Sequence, residues 1–269
     1  MIALGACALL TILAWWAGPR LLTSGRWQVR YPSIALAAWH AALGFGLLTA
    51  LGAVGCTVAL ALQAQHTQDA VAGVIYHVAG WGALAALGAV LLIVGAGSDG
   101  LVGAGERTFG EVLALPHTKA TLDGRVSLLT CRSDEPFACA IPGRDAAVVV
   151  SSALREILTP AQLSAVVAHE LAHLRGRHYM ALRIAELHRA CLPSSRRGKQ
   201  LLRATTFLVE LIADDAAARR VGAVHLANAL VHVADQTQDL TMELRAERLA
   251  TRQWTPSRKL TTSGALVRP

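Results

Sequence analysis

Charged side chains are scarce in this chain: they make up 16% of its 269 residues, whereas 54% of the residues are apolar. Three segments have no charged residue at all, namely 1–18, 34–62 and 71–97. Each can supply the roughly 20 residues that cross the hydrocarbon core of a bilayer. Three such segments within the first hundred residues argue against buried core helices of a soluble domain. The absence of charge therefore predicts three transmembrane helices in contact with the lipid bilayer.

Basic residues are missing ahead of the first apolar segment, and the first to occur is Arg20. A cleaved signal peptide carries Lys or Arg before its apolar stretch, so we expect this segment to be a retained anchor. Arg20, Arg26 and Arg30 precede the second segment without any acid, whereas Asp69 is the only formal charge in the next loop. Basic loops stay on the cytoplasmic side. The pattern predicts a multi-pass protein of the cell membrane with its amino terminus outside and everything after the third segment in the cytoplasm.

Two further absences exclude classes of protein. The chain has five cysteines, an odd number, and no C-x-x-C pair, so neither a disulfide framework nor a cysteine zinc site is indicated. The net charge is +7, but the basic residues are scattered and no aromatic-interleaved basic patch is present. We therefore expect no direct binding of nucleic acid. Glycines recur in the second and third apolar segments, and such small-residue faces pack helices within one chain or in a homo-oligomer.

The periodicity of the sequence changes after the third apolar segment. We predict a linker that continues the third span as a helix through Leu115, where Pro116 stops it, and then a small sheet of about three short β-branched strands. A helical pattern follows from residue 152. These signals predict an α-helical membrane anchor, a linker, an α+β domain with a small sheet and a disordered tail, at 1–97, 98–124, 125–251 and 252–269 respectively.

The helical part contains the pattern H-E-x-x-H. His169 and His173 lie one helical turn apart, so both imidazoles leave the same face of a helix and can bind one Zn²⁺. Glu170 lies beside them as a base for a metal-bound water molecule. Apolar residues at helical spacing, and a Thr-Pro pair that supplies an N-cap, predict a helix over residues 160–175. Because so short a pattern also occurs by chance on exposed helices, the rest of the site has to support it.

A tetrahedral catalytic zinc ion needs a third protein ligand, and a third histidine is the first possibility. The extended pattern H-E-x-x-H-x-x-G-x-x-H has Gly176 in place. However, its last position holds Tyr179, and His178 comes one residue too early. The sequence register therefore excludes this pattern.

A carboxylate from a later helix is the second possibility. Glu210 lies in an apolar stretch, where an unpaired buried carboxylate would be costly and a metal ion would remove that cost. Asp214 lies one turn further on, where it can accept a hydrogen bond from a ligand imidazole. We predict Glu210 as the third ligand and Asp214 as its supporting group. The alternative is an ion pair between Glu210 and an arginine such as Arg203 or Arg220.

The apolar segments, Pro142-Gly143, the run from Ala168 to His178 and Glu210-x-x-x-Asp214 together resemble gluzincin membrane peptidases. The resemblance is to the antirepressor, β-lactam-sensor type of signal-transducing metallopeptidase. The CAAX prenyl proteases and the heat-shock membrane peptidases are related, and the resemblance covers residues 1 to about 220. Sensor-type members continue into a further span and an extracellular penicillin-binding domain that this chain does not show, so we do not expect it to sense β-lactams directly.

This resemblance implies a zincin-like metallopeptidase fold for the α+β domain and a cytoplasmic active site. It also implies that His169, His173 and Glu210 bind the metal and that Glu170 is the general base. The reaction we expect is zinc-dependent hydrolysis of a peptide bond in a protein substrate, and a cytoplasmic transcriptional repressor is the substrate that the resemblance implies. Quality control of membrane proteins and a non-catalytic zinc-binding scaffold are the alternatives.

Two parts of the expected mechanism remain open in the sequence. An oxyanion donor is needed, and His178, Tyr179 and Arg219 are candidates, although His178 could equally be an exposed helix residue. The predicted strand 146–150 could offer its edge to an extended substrate by backbone pairing.

Overall fold

The computed structural model describes residues 2–23, 26–64, 70–123, 126–191 and 194–254. The helices in these residues are α1 (Ile2–Thr23), α2 (Trp27–Arg30), α3 (Pro32–Gln63), α4 (Ala70–Ala114), α5 (Ser152–Ile157), α6 (Pro160–Arg175), α7 (His178–Cys191), α8 (Arg196–Val221), α9 (Ala223–Thr237) and α10 (Leu240–Thr251). The strands are β1 (His117–Asp123), β2 (Val126–Cys131), β3 (Ala138–Ile141) and β4 (Ala147–Ser151). The predicted disordered tail falls mostly on residues 255–269, which lie outside the described residues.

The chain divides into two compact units. The first consists of Met1–Gly103 and Arg183–Thr205, and the second of Ala104–Leu182 and Thr206–Pro269. Helices α4, α7 and α8 contribute residues to both units.

The first unit contains the apolar helices. Among the described residues, Pro32–Gln63 and Ala70–Ser98 are long and apolar enough to cross a membrane, and they correspond to the second and third predicted spans. Only 11% and 6% of their most apolar windows are buried, so they are not core helices of this unit. The apolar part of α1 is shorter, Ile2–Ala14, and three spans therefore stay a prediction.

Close contacts between small side chains join these helices. The Thr11 and Thr49 hydroxyl groups hydrogen-bond across α1 and α3 at 3.0 Å. On α4, a Cβ at Gly80 would lie 2.6 Å from the Cβ of Ala61 on α3, so that only glycine fits there. Small residues at such crossings are typical of packed membrane helices.

The second unit has a mixed four-stranded sheet in the order β1-β2-β4-β3. Strand β2 is antiparallel to β1 and parallel to β4, and β3 is antiparallel to β4. The prediction of three strands missed β1, which falls in the predicted linker. Its sequence, HTKATLD, is mostly polar because an edge strand pairs on one side only and need not bury both faces.

Helix α6 lies at the centre of the second unit. Its bounds are those predicted. A capping box begins the helix: the Thr159 hydroxyl accepts a hydrogen bond from the backbone N–H of Gln162, and the Gln162 side-chain oxygen accepts one from the backbone N–H of Thr159. One face of α6 packs Val167 and Leu171 against the sheet and α5. The other packs Ala165 and Ala168 against α9 and α10 in a second cluster. Burial on both sides holds this helix in one orientation.

Candidate metal centre

Helices α6 and α8 bring three potential metal ligands to one point. His169 Nε2 lies 3.1 Å from His173 Nε2 and 3.3 Å from Glu210 Oε2. His173 Nε2 lies 3.5 Å from Glu210 Oε1. The two histidines form a pair because they are four residues apart on one helix, whereas Glu210 reaches them through the packing of α8 in the second unit.

These separations fit a tetrahedral metal site. With metal–nitrogen and metal–oxygen bonds of about 2.0–2.1 Å, ligand atoms at the corners of a tetrahedron lie about 3.3 Å apart. The separations of 3.1, 3.3 and 3.5 Å scatter around that value. The two imidazole nitrogens and the Glu210 carboxylate, which faces His169 with Oε2 and His173 with Oε1, therefore converge as one metal ion of zinc's size requires.

Each histidine of the pair has a further contact through its other ring nitrogen. His169 Nδ1 lies 3.0 Å from Asp214 Oδ1, and His173 Nδ1 lies 3.2 Å from His178 Nδ1. These contacts engage the Nδ1 atoms of both rings, so that the Nε2 atoms are the ones that face the Glu210 carboxylate.

His178 is almost completely buried, so its interpretation as an exposed helix residue is wrong. The reason is a sharp turn between α6 and α7. Arg177 has a φ of 49°, in the left-handed region, and this reversal brings the His178 ring back over the end of α6. A Cβ at Gly176 would collide with that ring, which explains the glycine there.

Sequence reasoning missed Arg245, on α10. Its guanidinium group donates through Nε and Nη2 to the two carboxylate oxygens of Asp214, at 2.8 and 2.7 Å. Its Nη1 lies 2.8 Å from Glu210 Oε2. The carboxylate of Glu210 therefore has an arginine partner as the alternative expected, but that partner is neither Arg203 nor Arg220.

A signal for Arg245 exists in the sequence of α10. Met242, Ala246 and Leu249 follow helical spacing and face the core, and Arg245 falls on the same face. An arginine on the apolar face of an amphipathic helix indicates a buried acidic partner.

The charges at the site shift the pKa values of its groups in different directions. Burial and the neighbouring His169 lower the pKa of His173 to about 4, so this ring is neutral and able to bind a metal. Burial also disfavours the charged form of His169, but its contacts with Asp214 and Glu210 outweigh burial and raise its pKa to about 9. For Glu210, the contact with His169 and the charge of Arg245 likewise outweigh burial and lower the pKa to about 2.

Glu170 lies beside the cluster without belonging to it. Burial is the main cause that raises the pKa of its carboxyl group, and the backbone amide of Ala140 on β3 donates to it. A raised pKa makes the carboxylate a stronger base toward a nearby proton donor.

A cavity of about 530 Å³ opens beside these residues. Its polar lining includes His169, Glu170, His173, Glu210 and Arg245, and the rest is mostly apolar. Tyr179 lines the cavity and is 43% exposed.

Arg219, the third oxyanion candidate, is exposed and does not line the cavity. It lies nine residues after Glu210, about two and a half helical turns, and therefore points to the opposite side of α8.

The strand that borders the cavity is β3. The expectation that residues 146–150 offer an edge is wrong, because β4 pairs with β2 on one side and β3 on the other. Strand β3 pairs with β4 alone in the described sheet, and Ala138, Cys139 and Ala140 line the cavity. The backbone edge beside the site therefore belongs to β3.

Two histidines and a carboxylate around one point form a group able to hold a metal ion, and the partly buried Glu170 lies next to them. Residues 128–253 match the model of Peptidase family M48. This match supports a metallopeptidase, and it extends from β2 to the end of α10. Comparisons with curated proteins and with solved structures gave no match.

Proposed function

We propose that this protein is a membrane-embedded, zinc-dependent endopeptidase of the gluzincin type. The observation that carries the proposal is the convergence of His169, His173 and Glu210 at tetrahedral separations beside Glu170. The family match over residues 128–253 supports the metallopeptidase part of the proposal.

Glu170 is the proposed general base. A zinc ion at the site would polarise the scissile carbonyl group and lower the pKa of a water molecule to about 7. Glu170 accepts a proton from the attacking water, which the raised pKa of its carboxyl group favours, and then passes that proton to the leaving amine. Asp214 and His178 hold the two ligand imidazoles in orientation through their Nδ1 atoms. Tyr179, at the cavity lining, is the proposed contact to the oxyanion or the substrate.

The proposed substrate is an extended segment of a protein. The edge position of β3 in the described sheet supports backbone pairing with such a segment. The apolar lining of the cavity, which includes Leu174, Leu230 and Val233, fits an apolar side chain next to the scissile bond. A regulatory target such as a transcriptional repressor is proposed on the resemblance to antirepressor peptidases alone.

The proposed location is the cell membrane, with three spans, the amino terminus outside and the peptidase part in the cytoplasm. Packing of α1 along α3 and the exposed apolar side chains of α1, such as Ile2 and Ile12, support α1 as a third span. The arginine-rich segment between α1 and α3 supports the orientation. Reporter fusions after residues 66 and 104 test it, because the first should report outside and the second inside.

The experiment that tests the enzyme compares the purified full chain with Glu170→Gln, and with Glu243→Gln as an exposed control on α10. Zinc content and cleavage of an unfolded protein such as casein are measured. We expect all three proteins to bind zinc and Glu170→Gln to cleave at least about a hundredfold more slowly. Equal cleavage by Glu170→Gln would contradict the general-base role. Zinc binding without cleavage by any of them would favour the scaffold.

The substrate class is tested in cells that express either the wild type or Glu170→Gln. New protein amino termini that depend on Glu170 are identified by mass spectrometry. Cleavage of an intact cytoplasmic regulator supports the regulatory role, whereas cleavage spread over misfolded membrane proteins supports quality control.

A further inference from the structure

The carboxyl-terminal half of α7 packs against the end of an apolar helix in the first unit. A Cβ at Gly97 of α4 would lie 3.3 Å from Leu187 Cδ1 and 3.6 Å from Ala190 Cβ. Gly97 is next to the last residue of the candidate span Ala70–Ser98. This contact holds α7 at the level where the apolar helix ends.

The same part of the chain is strongly basic. Between Arg183 and Thr205 the only acid is Glu186, and the first turns of α8 follow directly in this segment. Five of its basic residues are exposed, and none of the five makes an ion pair with another described residue. We call these five the basic surface: Arg183, Arg189, Arg196, Lys199 and Arg203.

We propose that the basic surface binds the headgroups of anionic phospholipids in the cytoplasmic leaflet. The proposal rests on the membrane location proposed above. A cluster of arginine and lysine residues just beyond a span lies within reach of the negative leaflet surface, where each basic residue strengthens binding about fivefold. Ile184, which is 44% exposed beside Arg183, adds an apolar side chain that can enter the headgroup boundary.

Nucleic acid is the other anionic partner to consider. Proteins that bind single strands combine basic grooves with aromatic side chains on which the bases stack. Residues 183–205 contain no Phe, Tyr or Trp. Together with the packing on Gly97, this composition favours the lipid surface.

The test uses the full chain in nanodiscs of phosphatidylcholine alone or with 30% phosphatidylglycerol. Hydrogen exchange of peptides from 183–205 is measured at low salt and at 0.5 M salt. We expect exchange in this segment to slow severalfold with the anionic lipid, and the difference to shrink at high salt because the charges are screened. A variant with Arg196→Gln, Lys199→Gln and Arg203→Gln should lose the dependence on anionic lipid.

The matched control removes three exposed arginines from the second unit, Arg144→Gln, Arg219→Gln and Arg220→Gln. It carries the same change in net charge and should keep the dependence on anionic lipid. An unchanged response in the first variant, or no response in the wild type, overturns the proposal. Slower exchange caused by an added oligonucleotide and not by anionic lipid would assign the basic surface to nucleic acid instead.

Membrane insertion is measured separately by extraction with alkaline carbonate. If carbonate releases the chain, the membrane location is wrong and the lipid proposal falls with it. If the chain stays in the membrane and hydrogen exchange of residues 183–205 does not depend on anionic lipid, only the lipid proposal fails.

Discussion

Replacement of Arg245 by methionine tests how the candidate site is held together. The change keeps an unbranched side chain of similar length but removes the guanidinium group that contacts Asp214 and Glu210. The Asp214 carboxylate is fully buried, so it would lose its cationic partner without gaining water. Breaking a buried ion pair in this way costs about 3–5 kcal/mol of unfolding free energy.

The pH dependence of that loss follows from the pKa of Asp214. Burial raises this pKa, but the hydrogen bonds from Arg245 and His169 outweigh burial and lower it to about 2 from an ordinary 3.8. A group with a depressed folded-state pKa stabilises the fold above its ordinary pKa, and that stability is lost as the pH falls towards the folded-state value. The difference between wild type and Arg245→Met should therefore be full at pH 7 and shrink below about pH 4.

Zinc affinity separates a role at the site from a purely structural one. We expect Arg245→Met to weaken zinc binding about 10–100-fold, because Asp214 and Glu210 lose the contact that orients them. Arg248→Gln is the control: Arg248 does not line the cavity and lies 2.7 Å from Asp215, another buried carboxylate, which keeps Arg252 as a second partner. It should lower stability without changing zinc affinity. Competition with a fluorescent chelator measures the zinc affinity of each variant. Equal zinc affinities for wild type and Arg245→Met would refute the reasoning.

Three further predictions concern packing, the cavity and the metal. Gly80→Ala should lower the melting temperature in detergent, because its Cβ would collide with Ala61, whereas Gly88→Ala, which meets no atom within 4 Å, should not. Burial and the charge of Glu170 raise the pKa of the Cys139 thiol to about 11. At pH 8, iodoacetamide should therefore alkylate Cys139 about a hundredfold more slowly than an ordinary thiol. In Glu170→Gln, the alkylation of Cys139 should be faster than in the wild type. Chelation should abolish cleavage and lower the melting temperature, and added zinc should restore both.

Local signals predicted those elements whose structure depends on neighbours in sequence. The capping box at Thr159 and Gln162 and the apolar spacing of the following residues define α6 without help from the rest of the chain. Pro116 likewise predicted the end of α4, which stops at Ala114. The strands β2, β3 and β4 were also predicted, and β4 most directly, because its run of valines is fully buried.

The errors concern pairing between strands far apart in the chain and one unusual backbone conformation. Strand order is one: β4 lies inside the sheet because β2 pairs with it in parallel, and no local pattern reveals that pairing. Strand β1 is another, because its polar sequence becomes a strand only through pairing with β2. The burial of His178 depends on the left-handed residue Arg177, at which the sequence shows no glycine or asparagine.

The candidate site likewise combines residues whose arrangement follows from one helix with residues that only tertiary packing brings together. The sequence by itself determined that His169 and His173 share one face and that Glu170 stands beside them, because 3.6 residues per turn leave no other arrangement within a helix. Only the tertiary structure decided that Glu210 reaches both imidazoles, that Arg245 rather than Arg203 or Arg220 balances its charge, and that β3 supplies the edge beside the cavity. These contacts join helices and strands far apart in the chain, and they follow from how α6, α8, α10 and the sheet pack around one core.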